Sequence, residues 1–301
     1  MSLVIDIHAL QTIPPSLINR DDTGAPKTAV FGGVPRQRVS SQSWKRAIRR
    51  YFENQFDSEM VGDRSKRLPE KIARLLEEKG LDQADAIARA EKLFKAAGIK
   101  TEVDKKPKKA DPEAPEPSPY PRTSYLIFLS QQQVDRAVEE LFKRGEEKLP
   151  SAEAKAILDT NHSVDMAMFG RMVADDAAYN VDAAVQVAHA IGIHGSTPDF
   201  DYFTAVDDLA EEGQETGAGM IGTVQMMSST LYRYATVNLK GLEDNLGSAE
   251  AARQAAGQFI EAFIASMPTG KINTFANQTL PELVYVAIRD TRPVSLVNAF
   301  E

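Results

Sequence analysis

The alternation of apolar and polar residues divides the chain into strand-like and helix-like segments. Residues 3–10 (LVIDIHAL) are apolar and β-branched, which predicts a strand in the middle of a sheet. Further strands are predicted where apolar residues recur at every second position, namely over 164–168, 185–193, 230–239 and 282–290. Apolar residues at three- and four-residue spacing predict helices at 41–52 and 248–266.

A long charged region separates the first of these helices from the next strand. Helical spacing within it occurs over 68–80, 82–97, 131–144 and 151–159. Residues 105–121 hold six prolines and almost no large aliphatic side chains, so this segment is predicted to be a disordered loop. A short strand-like segment follows at 123–129. We interpret 54–160 as a helical insertion.

The remaining segments follow the order β-α-β-β-α-β once this insertion and residues 194–228 are set aside. That order is typical of ferredoxin-like and RNA-recognition-motif (RRM) folds, so the predicted class is α+β. The core is predicted from residues 1–53, 161–193 and 229–301. Residues 194–228 are too long for a tight turn and mix aromatic residues with acids and glycines, so we expect a projecting arm. Without an RNP1 pattern, readout of RNA by the sheet face is not predicted.

Residues 19–52 form a positively charged island in an acidic protein. Eight Lys and Arg residues and two Asp residues lie between Arg20 and Arg50, a local charge of +6 against −8 for the whole chain. No acidic residue occurs from Thr23 to Tyr51, which favours an anionic ligand over a solvated charged face. We expect residues 11–40, rich in Gly and Pro, to form a long functional loop before the helix.

The helix predicted at 41–52 has an aromatic side and a cationic side. Ser40 or Ser41 can cap its N-terminus. Helical spacing places one group of apolar side chains together, namely Trp44, Ile48, Tyr51 and Phe52. The cationic side consists of Lys45, Arg46, Arg49 and Arg50. Because a helix N-terminus also binds phosphate, the expected ligand is a polyanion.

Composition narrows the function classes. The absence of cysteine excludes disulfides, thiol nucleophiles and thiolate metal sites. No apolar run approaches the roughly 18 residues of a membrane helix, and no signal-peptide layout opens the chain, so a cytoplasmic location without a membrane partner is predicted. A pI near 5.2 argues against a protein that coats nucleic acid with its whole surface, but it permits binding in a single groove.

The candidate catalytic motifs are weak. Residues 217–222 match G-x-G-x-x-G, but an acidic loop precedes them where a nucleotide site needs a strand. The four histidines lack metal-ligand spacing, and we expect a core or interface role for His189. Asp21 and Asp22 lie in the basic island and could hold Mg²⁺ for cleavage of a nucleic-acid backbone. We favour a role for them in orienting Arg20 and the loop, and no cofactor or metal is predicted.

Several segments of the chain occur together, in the same order, in one known family. They are LINRDD (17–22), AVFGGVPRQRVSSQSWKRAIR (29–49), GRM (170–172), VQVAHAI (185–191), DYFTAVDDL (201–209), LYRYATVNL (231–239) and SLVNAFE (295–301). On these segments the chain resembles the CasC family, the repeated backbone subunit of the type I-E CRISPR surveillance complex called Cascade. The resemblance spans nearly the whole chain and is weakest over 54–160. Family members usually continue beyond the NAFE segment, at which this chain stops.

The resemblance implies a hand-like protein with an RRM-like palm, fingers at 54–160 and a thumb at 194–228. Similar proteins stack into a helical filament along a guide crRNA, which pairs with target DNA, while a separate nuclease-helicase cuts. The implied partners are therefore crRNA, further copies of the chain, other Cascade subunits and target DNA. The implied role is non-catalytic.

The resemblance also implies a set of RNA contacts. Contacts to phosphate and ribose are implied for the loop residues Asn19, Arg20 and Lys27. A grip on the backbone near the start of the basic helix is implied for Arg38, Ser40, Gln42, Lys45, Arg46 and Arg49. In the GRM segment, Arg171 or Met172 is implied to contact bases. In the thumb, Phe203 and Thr204 are implied to stack at a displaced nucleotide.

Two other functions stay open at this stage. An RNA-cleaving backbone subunit, like the related subunits of type III complexes, would use Asp21 or Asp22 with Mg²⁺. A protein-only assembly domain would use the basic island to bind an acidic partner.

Overall fold

The protein is a mixed α+β structure built on an antiparallel sheet. The computed structural model describes residues 3–56, 60–103, 118–145, 147–173, 176–205 and 220–301. The chain divides into two compact units. The first unit comprises Met1–Tyr51, Val185–Leu239 and Ala256–Glu301, and the second comprises Phe52–Ala184 and Lys240–Ala255. Most of the segment predicted to be disordered, 105–121, and the first half of the G-x-G-x-x-G match, 217–219, lie outside the described residues.

The described strands and helices are as follows. The strands are β1 (Val4–Ser16), β2 (Thr28–Phe31), β3 (Val34–Val39), β4 (Asp63–Ser65), β5 (Thr101–Glu102), β6 (Arg122–Thr123), β7 (Ile127–Leu129), β8 (Val185–Val187), β9 (Ala190–Gly192), β10 (Asp199–Ala205), β11 (Met220–Asn238) and β12 (Leu283–Arg289). The helices are α1 (Ser41–Gln55), α2 (Leu68–Glu78), α3 (Gln83–Ala96), α4 (Gln131–Arg144), α5 (Ser151–Asp159), α6 (Val164–Phe169), α7 (Leu239–Leu246), α8 (Ala249–Ala265) and α9 (Ile272–Phe275).

The main sheet belongs to the first unit, and β1 lies inside it. Among the described strands the order is β12-β1-β11-β9-β3-β2, with β8 and β10 also paired to β11. The pairing of β1 with β11 is antiparallel and runs from Val4 opposite Asn238 to Ile13 opposite Ser229. The prediction of an interior strand at 3–10 is confirmed, and the strand continues six residues further than predicted.

The segment predicted as a long loop, 11–40, contains the end of β1 and a β-hairpin formed by β2 and β3. The loop is limited to 17–27, so the prediction was wrong in its extent. Gly32 and Gly33 have φ of +60° and +76°, and they join β2 to β3 with Phe31 opposite Val34. Two adjacent residues with positive φ form the two-residue turn whose twist matches a hairpin, and only glycine adopts both conformations without strain. The Phe-Gly-Gly-Val sequence therefore carried a hairpin signal.

The segment predicted as a strand at 164–168 is instead helix α6. Its apolar residues do alternate, but Asp165 and Ala167 between them are also fully buried. A segment that is buried on all sides has no polar face from which its period can be read. The helix ends at Gly170, whose φ is +79°.

A stacked arginine fixes α1 on the sheet of the first unit. The guanidinium of Arg233 lies 3.8 Å from the centre of the Trp44 ring and 4.4 Å from that of Phe263. It donates to Oε1 of Gln11 at 2.6 Å and to the carbonyl of Phe263. Burial lowers the pKa of Arg233 to about 9. One side chain thus joins β1, β11, α1 and α8.

The opposite face of the sheet is organised by a buried carboxylate. Asp6 accepts hydrogen bonds from Nε of Arg289 at 2.7 Å, from the Tyr234 hydroxyl at 2.9 Å and from the backbone N–H of Val294 at 3.0 Å. Burial by itself raises the pKa of this carboxyl, but these hydrogen bonds outweigh burial and leave the pKa below its usual range. The arrangement ties the segment after β12 to β1.

The second unit has its own helical core. Buried apolar residues of α2, α3, α4 and α5 form one cluster, which includes Leu76, Phe94 and Leu141. A capping box starts α4, because the Ser130 hydroxyl accepts from the N–H of Gln133 while the Gln133 side chain accepts from the N–H of Ser130. The predicted helices at 68–80, 82–97, 131–144 and 151–159 are confirmed within three residues at each end.

The bounds of the two units differ from those of the predicted core and insertion. Residues 161–184 and 240–255 belong to the second unit. The side-chain amide of Asn245 on α7 donates to the carbonyls of Ala167 and Asp182, which attaches α7 to that unit. Such contacts join residues distant along the chain and leave no local sequence signal.

We predict that Trp44→Ala lowers the free energy of unfolding by about 3–5 kcal/mol, because it leaves a large cavity beside a buried guanidinium. Trp44→Phe keeps an aromatic face over Arg233 and is expected to lose less. The exposed Arg46→Ala on the same helix serves as control and is expected to stay within about 0.5 kcal/mol of the unsubstituted chain. Urea unfolding followed by circular dichroism measures all three, and equal midpoints for Trp44→Ala and Arg46→Ala would contradict the packing described.

Candidate nucleic-acid interface

Helix α1 presents cationic side chains on the side opposite its buried residues. Trp44, Ile48 and Phe52 have at most 1% of their surface exposed, as the helical spacing predicted. On the outer side Gln42, Arg46 and Arg50 are exposed, while Lys45 and Arg49 are half-buried. Burial lowers the pKa of Lys45. The helix therefore carries its charge along one outward stripe.

The preceding segment is bound back onto the start of this helix. The backbone N–H of Lys27 donates to the carbonyl of Asn19, and the N–H of Arg38 donates to the carbonyl of Lys27, both at 2.9 Å. Oδ1 of Asn19 accepts from the N–H of Ser40, also at 2.9 Å. These bonds bring four of the residues implied in RNA contacts together, although Ser40 itself is 5% exposed.

A histidine that sequence reasoning assigned to a core or interface role lies exposed in this group. Nδ1 of His189 is 3.2 Å from the backbone nitrogen of Ser41 and 3.3 Å from Nη1 of Arg38. Burial, followed by the charges of Arg38 and Lys27, lowers the pKa of His189. The sequence carried no local signal for this contact, because 185–193 alternates as one strand, whereas the structure interrupts it at residues 188 and 189 between β8 and β9.

Arg36 lies in the basic island of the sequence, but it is buried in the structure. Its side chain is 4% exposed. Nε donates to the carbonyl of Phe31 at 2.8 Å, Nη1 to that of Gly192 at 3.0 Å and Nη2 to that of Phe300 at 2.8 Å. Since all of these acceptors are backbone carbonyls, Arg36 holds the hairpin and the last residues of the chain together.

The two aspartates of the island differ in their contacts. Oδ1 of Asp21 accepts from the N–H of Thr23 at 2.9 Å, the hydroxyl of Thr23 at 2.7 Å and the N–H of Ala25 at 3.0 Å. The Thr23 hydroxyl is the largest cause that lowers the pKa of Asp21. Asp21 thus closes a tight turn in the loop before β2, whereas Asp22 is simply exposed.

The GRM segment lies in the second unit, where Arg171 and Met172 differ in exposure. The guanidinium is buried, donates to the carbonyls of Tyr179 at 2.7 Å and Leu158 at 3.1 Å, and pairs with Asp159. These partners hold the guanidinium below the surface. Met172, in contrast, exposes 83% of its surface.

The described part of the arm is a two-stranded ribbon, because β10 pairs with the first residues of β11. Phe203 is half-buried and lies across from Gly222, where an added Cβ would come within 2.3 Å of the Phe203 ring. Thr204 is exposed on the other face of the ribbon, beside the strongly exposed Phe200 and Tyr202. Residues 206–219, which complete the arm, lie outside the described residues.

Other kinds of site receive little support within the described ranges. No group of three or more His, Asp or Glu side chains there is arranged to hold a metal ion. None of the described helices is both long and apolar enough to cross a membrane.

Comparison with known proteins identifies the family. The sequence model of the family described as CT1975-like protein matches residues 5–301. The chain belongs to this family. No curated protein matches the CT1975-like chain. Among solved structures, a chain from "CRISPR RNA-guided surveillance complex, pre-nicking" is 40% identical with a TM-score of 0.85, and the match covers 99% of this chain and 82% of that one. A chain from "CRISPR RNA-guided surveillance complex" is 34% identical with a TM-score of 0.73, covering 99% and 79%.

We predict that Asp21→Ala loosens the loop before β2, because the N–H groups of Thr23 and Ala25 lose their shared acceptor. Amide hydrogen exchange at these two residues is expected to accelerate, while exchange within α1 stays unchanged. Asp22→Ala is the matched control and is expected to leave exchange at Thr23 and Ala25 unaltered. Equal effects of the two substitutions would contradict the turn described for Asp21.

Proposed function

We propose that this chain is the backbone subunit of a type I-E CRISPR surveillance complex. In this proposal copies of the chain assemble along guide crRNA and hold its spacer for pairing with target DNA, beside other Cascade subunits in the cytoplasm. The observation that carries the proposal is the outward cationic stripe of α1, joined to Lys27 and Arg38, in a chain 40% identical to one from an RNA-guided surveillance complex.

The chemistry of this stripe suits a guide of any sequence. Lys and Arg side chains bind phosphates, and such contacts fix the position of a nucleic acid without reading its bases. The overall charge of −8 restricts this attraction to the stripe and its surroundings. A backbone subunit needs both properties, because it must accept every spacer and align it in one groove.

The parts of a hand can be assigned to the chain on this proposal. The core elements of the first unit follow the β-α-β-β-α-β order, namely β1, α1, β8–β9, β11, α8 and β12. This order supports a ferredoxin-like or RRM-like palm. The helices of the second unit supply the fingers, and the β10–β11 ribbon supplies the thumb.

The proposed RNA contacts are those implied by the family resemblance, without Arg171. The backbone grip uses the loop and helix residues Asn19, Arg20, Lys27, Arg38, Ser40, Gln42, Lys45, Arg46 and Arg49. The exposed Met172 contacts bases in place of the buried Arg171. Phe203 and Thr204 contact the displaced nucleotide from the thumb. Phe203 is half-buried opposite Gly222, so part of its ring remains at the surface for such a contact.

The proposed role is non-catalytic and needs no cofactor. Asp21, the first candidate for an RNA-cleaving site, has one carboxylate oxygen occupied by three donors of its own turn. A metal-dependent nuclease instead needs carboxylate oxygens directed at the ion. Incubation of assembled complex with matched RNA and Mg²⁺ tests this point. Intact RNA is expected, and periodic cuts that disappear with Asp21→Ala or Asp22→Ala would overturn the non-catalytic role.

The grip itself is tested by reversing two charges of α1. Lys45→Glu with Arg49→Glu is expected to abolish co-purification of guide RNA while the chain stays folded. With purified protein and single-stranded RNA, the slope of log affinity against log salt is expected to become shallower by about 1.4, or about 0.7 for each lost phosphate contact on a single strand.

The matched control reverses two cations of the second unit, Lys143 and Arg67, which are 70% and 65% exposed. This control changes net charge equally, so it separates a local grip from general attraction. The control variant is expected to keep its RNA. Unchanged RNA binding by the α1 variant, or equal losses in both, would refute the proposed grip.

A further inference from the structure

We propose that His189 is a positioning residue for the RNA grip. Its Nδ1 holds the guanidinium of Arg38 and the first N–H of α1 in the geometry that receives a phosphate. This inference rests on the proposed function and assigns it a residue that is not among the RNA contacts implied by the family resemblance.

The geometry fixes the protonation of the imidazole ring. A backbone N–H can only donate, so the Ser41 nitrogen at 3.2 Å requires Nδ1 of His189 to accept. Nη1 of Arg38, at 3.3 Å, is likewise only a donor. With Nδ1 as acceptor, a neutral ring carries its proton on Nε2. Protonation of Nδ1 would break both contacts.

Burial and then the surrounding charges favour the neutral ring. Burial and the positive charges of Lys27 and Arg38 lower the pKa of His189, so the ring is uncharged at neutral pH. A neutral imidazole that accepts a hydrogen bond acts differently here from a further cation. It orders Arg38 without competing with it for a phosphate.

Arg38 is thereby held at two points. Nε donates to the carbonyl of Thr28 at 3.3 Å, and Nη1 faces His189. A guanidinium has five N–H donors in a rigid fork, so donors remain for a phosphate oxygen. A side chain ordered before binding loses less conformational entropy when RNA arrives. The same ring also bonds the N–H of Ser41, which fixes the start of α1 relative to Arg38.

Three substitutions separate the two ring nitrogens. The side-chain oxygen in His189→Asn can replace Nδ1 as acceptor, the amide nitrogen in His189→Gln can replace the Nε2 donor, and His189→Ala replaces neither. With fluorescent oligouridine as the probe, we expect Ala and Gln to weaken binding about tenfold, the loss of one hydrogen bond to a charged group. We expect Asn to stay within about twofold of the unsubstituted chain. Circular dichroism melting confirms that each variant is folded.

A double-mutant cycle tests whether His189 changes RNA affinity by positioning Arg38. In an Arg38→Ala background, His189→Ala is expected to cause no further loss of RNA affinity, because the side chain it positions is gone. Additive losses would overturn the inference, as would weak binding by His189→Asn or rescue by His189→Gln. If the unsubstituted chain fails to bind RNA, the proposed function falls together with the inference. If it binds normally and only the rescue pattern fails, the inference alone falls.

The tautomer of His189 can be measured without RNA. Nitrogen-15 chemical shifts of the free protein, assigned with His189→Asn among the four histidines, are expected to show the proton on Nε2 at neutral pH. A proton on Nδ1 would contradict the positioning role directly.

Discussion

The packing of the Trp44 ring on the buried guanidinium of Arg233 is the interaction on which the interface depends. This contact attaches α1 to the sheet by its aromatic side and so directs its cationic side outward. A buried guanidinium is costly to desolvate, and here two aromatic rings, Gln11 and a backbone carbonyl surround it. Since Arg233 comes from β11 and Phe263 from α8, the orientation of α1 is set by segments about 200 residues away along the chain.

The cations of the basic island divide into two groups with different physical roles. The first group is buried and donates hydrogen bonds to backbone carbonyls. It contains Arg36, and Arg233 and Arg171 elsewhere in the chain behave in the same way. The outer residues of α1 and the loop before it remain at the surface, where they can meet phosphates. A count of charges along the sequence includes both groups, but only the surface group can bind a polyanion. Burial is therefore the property that distinguishes a structural arginine from a ligand-binding one.

Much of the fold could be predicted from periodicity alone. The aromatic stripe of α1, the strand at 3–10 and the helices of the second unit all follow simple spacing. Two errors have local causes, because a Gly-Gly hairpin turn was read as loop and a segment buried on all sides mimicked a strand. The site was harder to predict. His189 contacts Arg38 and Ser41 across about 150 residues, and Arg171 donates to the carbonyls of Leu158 on α5 and of Tyr179 after α6. Only the tertiary structure reveals either role.

The proposed role requires copies of the chain to assemble on guide RNA. The most direct measurement is light scattering after size-exclusion chromatography, with absorbance at 260 and 280 nm, of protein expressed with and without a guide transcript and then treated with ribonuclease. A high 260-to-280 ratio and a large assembly are expected only with the guide, and the assembly is expected to dissociate once exposed RNA between subunits is digested. An assembly of the same size that contains no RNA and resists ribonuclease would contradict the proposed role.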